Sequence, residues 1–210
     1  DLLYYPSVIQ KVKSLLGTNF RLHNGKISLK SPSVGDLVDW HQDWAFYPHS
    51  NDDVLAVGIM LDDMTSENGS VLFIPGSHKG KIYNHHHNGC FAGAIDIEKD
   101  NIDLSDAFEV TGKAGSITIH HARLLHASKP NNSNTMRRFL LWEFAASDAW
   151  PLMGINDYND FNKKIISGKT NNTPRLSNVP VIMPLPAAIN QGSIFENQKV
   201  VTKNKNNILM

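Results

Sequence analysis

The stretch Trp40-His41-Gln42-Asp43-Trp44 sets an imidazole and a carboxylate two residues apart. At the end of a β-strand successive side chains alternate faces, so His41 and Asp43 point one way and Gln42 the other. One backbone segment then offers a nitrogen and an anionic oxygen to the same ion, two of the three protein ligands of an iron site. The third has to come from another strand, and His120, His121 and His126 are the candidates.

The turn from Lys129 to Met136, rich in Asn, Ser and Pro, bears on that choice. Read as a hairpin symmetric about Asn131-Asn132, it sets His126 opposite Arg137 and Ser128 opposite Thr135, with His126, Ser128 and Arg137 on one face. Two neutral imidazoles and one carboxylate on one side of Fe(II) leave the opposite positions open. A 2-oxo acid can fill two of these through its 1-carboxylate and keto oxygen, and one stays free for O2. Its far carboxylate then needs a fixed cation. The planar fork of Arg137 suits it through two charge-assisted hydrogen bonds, with the Ser128 hydroxyl as a third donor.

Such a site needs a β-rich scaffold. Ser7 to Leu16 reads as a helix, with Ser7 and Gln10 as a capping box, Val8, Val12, Leu15 and Leu16 as its apolar stripe and Gly17 closing it. Phe20 to Lys30 reads as a hairpin turning at Asn24-Gly25. The runs Val54 to Leu61 and Val71 to Ile74 are short and continuously apolar, which predicts buried strands. Ala107 to Val110, Ser116 to Ile119, Arg123 to His126 and Arg138 to Trp142 are further strand candidates. Many short strands and one clear helix predict a mainly β fold, a double-stranded β-helix (jelly roll, cupin-like) with a few flanking helices. The expected organisation is a single domain over 1–210, with its core at about 20–148, a long loop or lid at 79–105 and a loose tail at 197–210.

At four ordered places the sequence resembles the phytanoyl-CoA dioxygenase-like family of Fe(II)/2-oxoglutarate oxygenases. They are His41-Gln42-Asp43 with Tyr47-Pro48 after it, Glu67-Asn68-Gly69, Ile74-Pro75-Gly76-Ser77-His78, and His126-x-Ser128 followed by Arg137. The resemblance spans roughly Lys30 to Asp148. It implies Fe(II) held by His41, Asp43 and His126, 2-oxoglutarate anchored by Arg137, O2 as oxidant, and hydroxylation of a small-molecule or lipid-like substrate with release of succinate and CO2. Halogenases of this kind replace the carboxylate by a small residue, so Asp43 favours hydroxylation. Two departures stand out. Only 40 residues precede His41, fewer than members usually carry, so either the chain is trimmed or its pocket is built differently. Ile59 occupies a position that is often aromatic near the co-substrate.

Composition bounds the rivals. Lys+Arg and Asp+Glu number 20 each, so no bulk charge argues for nucleic acid or an anionic membrane. A single cysteine excludes an internal disulfide framework and fits a reducing, cytoplasmic setting, and no run of about 18 apolar residues is present. The expected partner is a small-molecule substrate. Two other readings share the scaffold: a cupin-like metal enzyme that needs no 2-oxo acid, and a non-catalytic jelly-roll binding module. Plainer roles attach to several residues. His85-His86-His87 reads as a solvated loop, His120 as a hydrogen-bonded barrel histidine, His121 as a residue of the opposite face and Arg138 as a surface charge. Trp44, Phe46 and Tyr47 flank the ligands and are either core or substrate-pocket lining.

Overall fold

Helix α1 (Pro6–Leu16) begins with proline, whose fixed φ suits the first helical position and whose missing N–H costs nothing there. The expected capping box is not used: the cap position is Tyr5, without a side-chain hydrogen bond, and Ser7 lies inside the helix. Gly17 closes the helix at φ 81°, its N–H donating to Lys13 O at 3.0 Å. The computed structural model describes residues 2–33 and 37–186 together with Ile194 and Gln198, so the expected tail at 197–210 lies, Gln198 apart, outside the described residues.

The strands follow in order: β1 (Phe20–Lys30), β2 (Val38–His41), β3 (Val54–Met60), β4 (Val71–Phe73), β5 (His86–His87), β6 (Cys90–Phe91), β7 (Phe108–Val110), β8 (Ile117–His121), β9 (His126–Ser128) and β10 (Arg137–Ala146). A short helix α2 (Tyr158–Lys163) and strand β11 (Ile165–Ser167) come last, beyond the part where the sequence carried a readable pattern. One antiparallel sheet runs β11-β1-β10-β3-β8 and a second runs β2-β9-β4-β7, the two-sheet arrangement of a jelly roll.

Three local expectations change. Phe20 to Lys30 is one strand rather than a hairpin. Neither Asn24 nor Gly25 takes the positive φ that a tight turn demands. They sit instead beside a bulge after Leu22, and the whole strand pairs with β10, from Phe20↔Ala146 to Lys30↔Arg137. Long-range pairing outweighs the local turn preference. The strand expected at Arg123 to His126 starts at His126, because Leu124 N–H closes a turn on His121 O. Third, β9 and β10 do not pair as a hairpin. β9 joins β2 and β4 in one sheet, and β10 lies between β1 and β3 in the other.

Alternation along β10 explains how the layers are filled. Leu140, Trp142 and Phe144 face outward, where Val8 and Val12 of α1 pack with Phe20, Leu55, Val57, Ile59 and Phe144. Arg137, Phe139, Leu141 and Glu143 face inward and line a cavity between the sheets. β3 is buried throughout because both its faces are covered, which is why its sequence is an unbroken apolar run. Ile59 lies on the outer, α1-facing side and does not line the cavity. Gly58, on the inner side, makes room instead: a Cβ there would lie 2.0 Å from the Phe139 ring.

Candidate active site

β2 delivers His41, and Gln42 stays extended (φ −118°, ψ 127°), so the alternation carries through to Asp43 before a 3-10 turn at Asp43–Ala45. His126 arrives at the start of β9, directly paired with His41. The rings of His41 and His126 lie 4.0 Å apart. The ligand atoms of His41, Asp43 and His126 all fall within 4.8 Å of one another, and the three residues are buried.

The hydrogen bonds settle which nitrogen is free. Nδ1 of His41 is 2.8 Å from Asp39 O, and Nδ1 of His126 is 2.9 Å from Leu124 O. A carbonyl only accepts, so each Nδ1 carries the proton and each Nε2 presents a lone pair. These Nε2 atoms stand 3.8 and 3.9 Å from Asp43 Oδ1, too far for hydrogen bonds. Burial pushes the His41 imidazole well below its usual range and that of His126 down to about 4, so both are neutral at ordinary pH. Burial opposes ionisation of Asp43, but His126 and the hydrogen bond from His120 outweigh it and hold the carboxyl well below its usual range. Two lone pairs and an anion thus converge with no proton between them, which is a donor set suited to a divalent cation.

Around this triplet sit residues that fix it. His120 on β8 approaches Asp43 Oδ2 at 3.3 Å, which places it as an orienting partner as expected. Gln42, pointing away from the cavity, donates to Lys81 O and Arg123 O at 3.1 and 2.8 Å and accepts from Tyr83 N–H at 2.9 Å. Its own N–H donates to His85 Nε2 at 2.8 Å, and His85 Nδ1 lies 2.9 Å from Tyr83 O. His85 is therefore a buried clamp on the ligand segment and not part of a solvated loop, a correction that applies to this histidine of the three. The segment 79–105 is folded onto the site at that point, with β5 and β6 forming a small hairpin of their own.

Arg137 lies on the opposite sheet, buried to 1% exposure, and faces the same cavity. Its Nη1 makes only long contacts of 3.4 Å to Ser28 O and Oγ, and its Nε has no partner. Burial lowers its pKa to about 10, which leaves it a cation at neutral pH. An under-satisfied buried guanidinium calls for an anion. Ser128 lines the cavity from the other sheet. His126, Ser128 and Arg137 thus meet across the cavity rather than along a hairpin.

The cavity has a volume of ≈ 1150 Å³, and Phe46 and Tyr47 line it. Trp44 does not: its indole is 1% exposed, donates from Nε1 to Pro180 O at 2.9 Å and packs with Val54, Ala122 and Ala145. The turn at Asp43 breaks the strand alternation and swings Trp44 into the core. Lys26 and Glu143, paired at 2.9 Å, also line the cavity and were not singled out from sequence. Glu143 shares the parity of Arg137 along an otherwise apolar strand, and that was the available signal.

Buried neutral histidines give the fold a pH dependence of defined sign. Burial holds His49 at about 3 and His85 at about 4, against ~6.5 for an unfolded histidine. Between those values the unfolded chain binds more protons, so their contribution is complete above pH ~6.5 and is lost as pH falls toward ~4. Each pH unit of that window is worth ~1.4 kcal/mol per histidine. Urea unfolding of the metal-free protein should show a steadily falling midpoint from pH 6.5 to 4.5, and a flat profile would contradict the assignment.

A two-sheet jelly roll with a buried His-x-Asp and distant His converging on a cavity, and an unpaired arginine facing them, defines a non-haem metal oxygenase scaffold. Comparison with known proteins agrees. The model of the phytanoyl-CoA dioxygenase (PhyH) family matches residues 3–139. The chain is 44% identical over 200 residues to a probable alpha-ketoglutarate-dependent hypophosphite dioxygenase of Stutzerimonas stutzeri, covering 93% of this chain and 70% of that protein. It is 30% identical over 161 residues to an L-proline trans-4-hydroxylase of Streptomyces griseoviridis, covering 67% of this chain and 59% of that one. In fold it is similar to a non-haem alpha-ketoglutarate-dependent carbocyclase from nogalamycin biosynthesis (TM-score 0.65, 22% identity, 84% of this chain and 70% of that one). The chain belongs to the phytanoyl-CoA dioxygenase family and is a non-haem Fe(II)- and 2-oxoglutarate-dependent dioxygenase. Among the described residues no helix is long and apolar enough to cross a membrane.

Proposed function

We propose that this chain is a single-domain dioxygenase that hydroxylates hypophosphite, turning a P–H bond into P–OH. In this reading His41, Asp43 and His126 hold Fe(II), and Arg137 with Ser128 holds the distal carboxylate of 2-oxoglutarate. The observation that carries it is the facing pair of unsatisfied groups across one cavity: two bare Nε2 atoms with Asp43 Oδ1 on one side, and the Arg137 guanidinium on the other. When bound, the iron and 2-oxoglutarate supply oxidising power, one atom of O2 going to substrate and the other to succinate as CO2 leaves. The protein's own work is to orient and to exclude water. Gln42 and His85 keep the His41–Asp43 segment from shifting, His120 sets the carboxylate, and Phe46 and Phe139 give the cavity apolar walls.

Hypophosphite is chosen because the relative so named shares more identity with this chain than the proline hydroxylase does, and over more of its length. The lone, exposed Cys90 supports work in the reducing cytoplasm. A cupin-like enzyme without a 2-oxo acid gives the buried Arg137 cation nothing to bind, and a non-catalytic module gives the three convergent donors no role. The test incubates Fe(II)-loaded protein with 2-oxoglutarate, O2 and hypophosphite, following succinate and, by phosphorus NMR, phosphite. Hypophosphite should stimulate succinate release with phosphite formed one for one. Stimulation by L-proline instead would replace the substrate and keep the class.

A further inference from the structure

The cavity wall holds a second polar cluster that the iron and 2-oxoglutarate positions leave unused. Lys26 Nζ pairs with Glu143 Oε1 at 2.9 Å, the side chains being 48% and 1% exposed respectively. The ammonium therefore stands toward the cavity and the carboxylate behind it. Glu143 lies opposite Ala56, and Ala56 opposite His120, so the pair is in the row of the histidine that touches Asp43. Lys26 is within electrostatic reach of both Asp43 and His126. The buried Tyr47 hydroxyl lies beside the Asp43 and Glu143 carboxylates without a hydrogen bond of normal geometry to either, and Glu143 Oε2 likewise makes none.

Position decides what this cluster can take. Fe(II), the Asp43 carboxylate, a 2-oxoglutarate dianion and Arg137 sum to zero, and so do Lys26 and Glu143, so selection rests on the ammonium being the exposed member of its pair on the cavity wall. One N–H of Lys26 goes to Glu143, and the others are left for a ligand in the cavity. A lipid-like substrate would cover this ammonium and the bare Tyr47 hydroxyl with nothing to bind them, which is costly. We propose that Lys26, aimed by Glu143, and the Tyr47 hydroxyl form the substrate subsite, and that it selects a small oxyanion. Lys26 takes one oxygen, Tyr47 donates to a second, and Glu143 is a positioning residue. The inference rests on the dioxygenase reading above and deepens it.

The test is anaerobic calorimetry. Hypophosphite, phosphite and formate are titrated into Fe(II)- and 2-oxoglutarate-loaded protein, and 2-oxoglutarate separately into the Fe(II) form. Lys26→Met should weaken anion binding by about tenfold or more with 2-oxoglutarate affinity within about twofold, Lys26→Arg should restore most of it, and Tyr47→Phe should cost about 3- to 10-fold. Lys26→Met leaves the buried Glu143 carboxylate without its counter-ion, so its melting curve is recorded beside wild type, and Lys26→Arg, which keeps the charge, controls for the fold. Unchanged anion binding in Lys26→Met overturns the proposal. So does a loss of 2-oxoglutarate binding as large as that of the anion, or a wild type that binds none of the three. Lys26-dependent binding of formate or phosphite without hypophosphite supports the subsite and removes hypophosphite as the substrate.

Discussion

Arg137→Ala is expected to weaken 2-oxoglutarate binding by about 10²- to 10⁴-fold while Fe(II) remains bound, since removing one partner of a buried charge pair costs about 3–5 kcal/mol. The reasoning is local. In the protein alone the guanidinium is 1% exposed, touches Ser28 only at 3.4 Å and leaves Nε bare. No carboxylate of the described residues forms an ion pair with it, because Asp62 is taken by the outward-facing Arg138. A ligand that arrives with two oxygens in a plane would satisfy it. Arg137→Lys keeps the charge and loses the fork, so it should fall between wild type and alanine. Calorimetric titration of the anaerobic Fe(II) form reads all three, and wild-type affinity in Arg137→Ala would place the co-substrate elsewhere.

Asp43→Ala is expected to abolish stoichiometric iron binding, with loss of affinity exceeding the about 10- to 100-fold that an outer partner alone contributes. Two neutral imidazoles remain, but the anion that balances the cation is gone. The same substitution should leave the metal-free fold intact, since the apo protein pays to bury that carboxylate and recovers it only in part through His120 at 3.3 Å. The expected signature is therefore a thermal midpoint that iron raises in wild type and does not move in the variant. Iron content after buffer exchange and the two melting curves check it, and full occupancy in Asp43→Ala would mean that the carboxylate is not a ligand.

Much of the site could be read from residue types because its chemistry is short-range in sequence. His41 and Asp43 sit on one extended segment, and period-two alternation suffices to bring them together. β3 was legible for a related reason: burial on both faces leaves an apolar run that needs no partner to recognise, whereas β4, read from a similar run, is fully buried only at Val71. The convergence of His126, Ser128 and Arg137 was anticipated by way of a hairpin that does not exist. The turn at Lys129 to Met136 crosses from one sheet to the other, so the residues meet across the cavity. Alternation is the same for either route, and it placed the residues on the right face without identifying the right neighbour. The Asn24-Gly25 expectation failed oppositely, with a strong local turn signal overridden by ten paired positions between β1 and β10.

The sequence by itself determined the candidate ligand types, their spacing and the shared face of His41 with Asp43 and of His126 with Ser128, because these follow from covalent order and the two-residue period of a strand. Tertiary structure alone decided the rest: that His85 clamps Gln42, that Trp44 turns into the core, and that Lys26 stands before Glu143 beside the triad. Those contacts join residues from 43 to 136 positions apart or depend on exposure, and strand periodicity carries no information at that range.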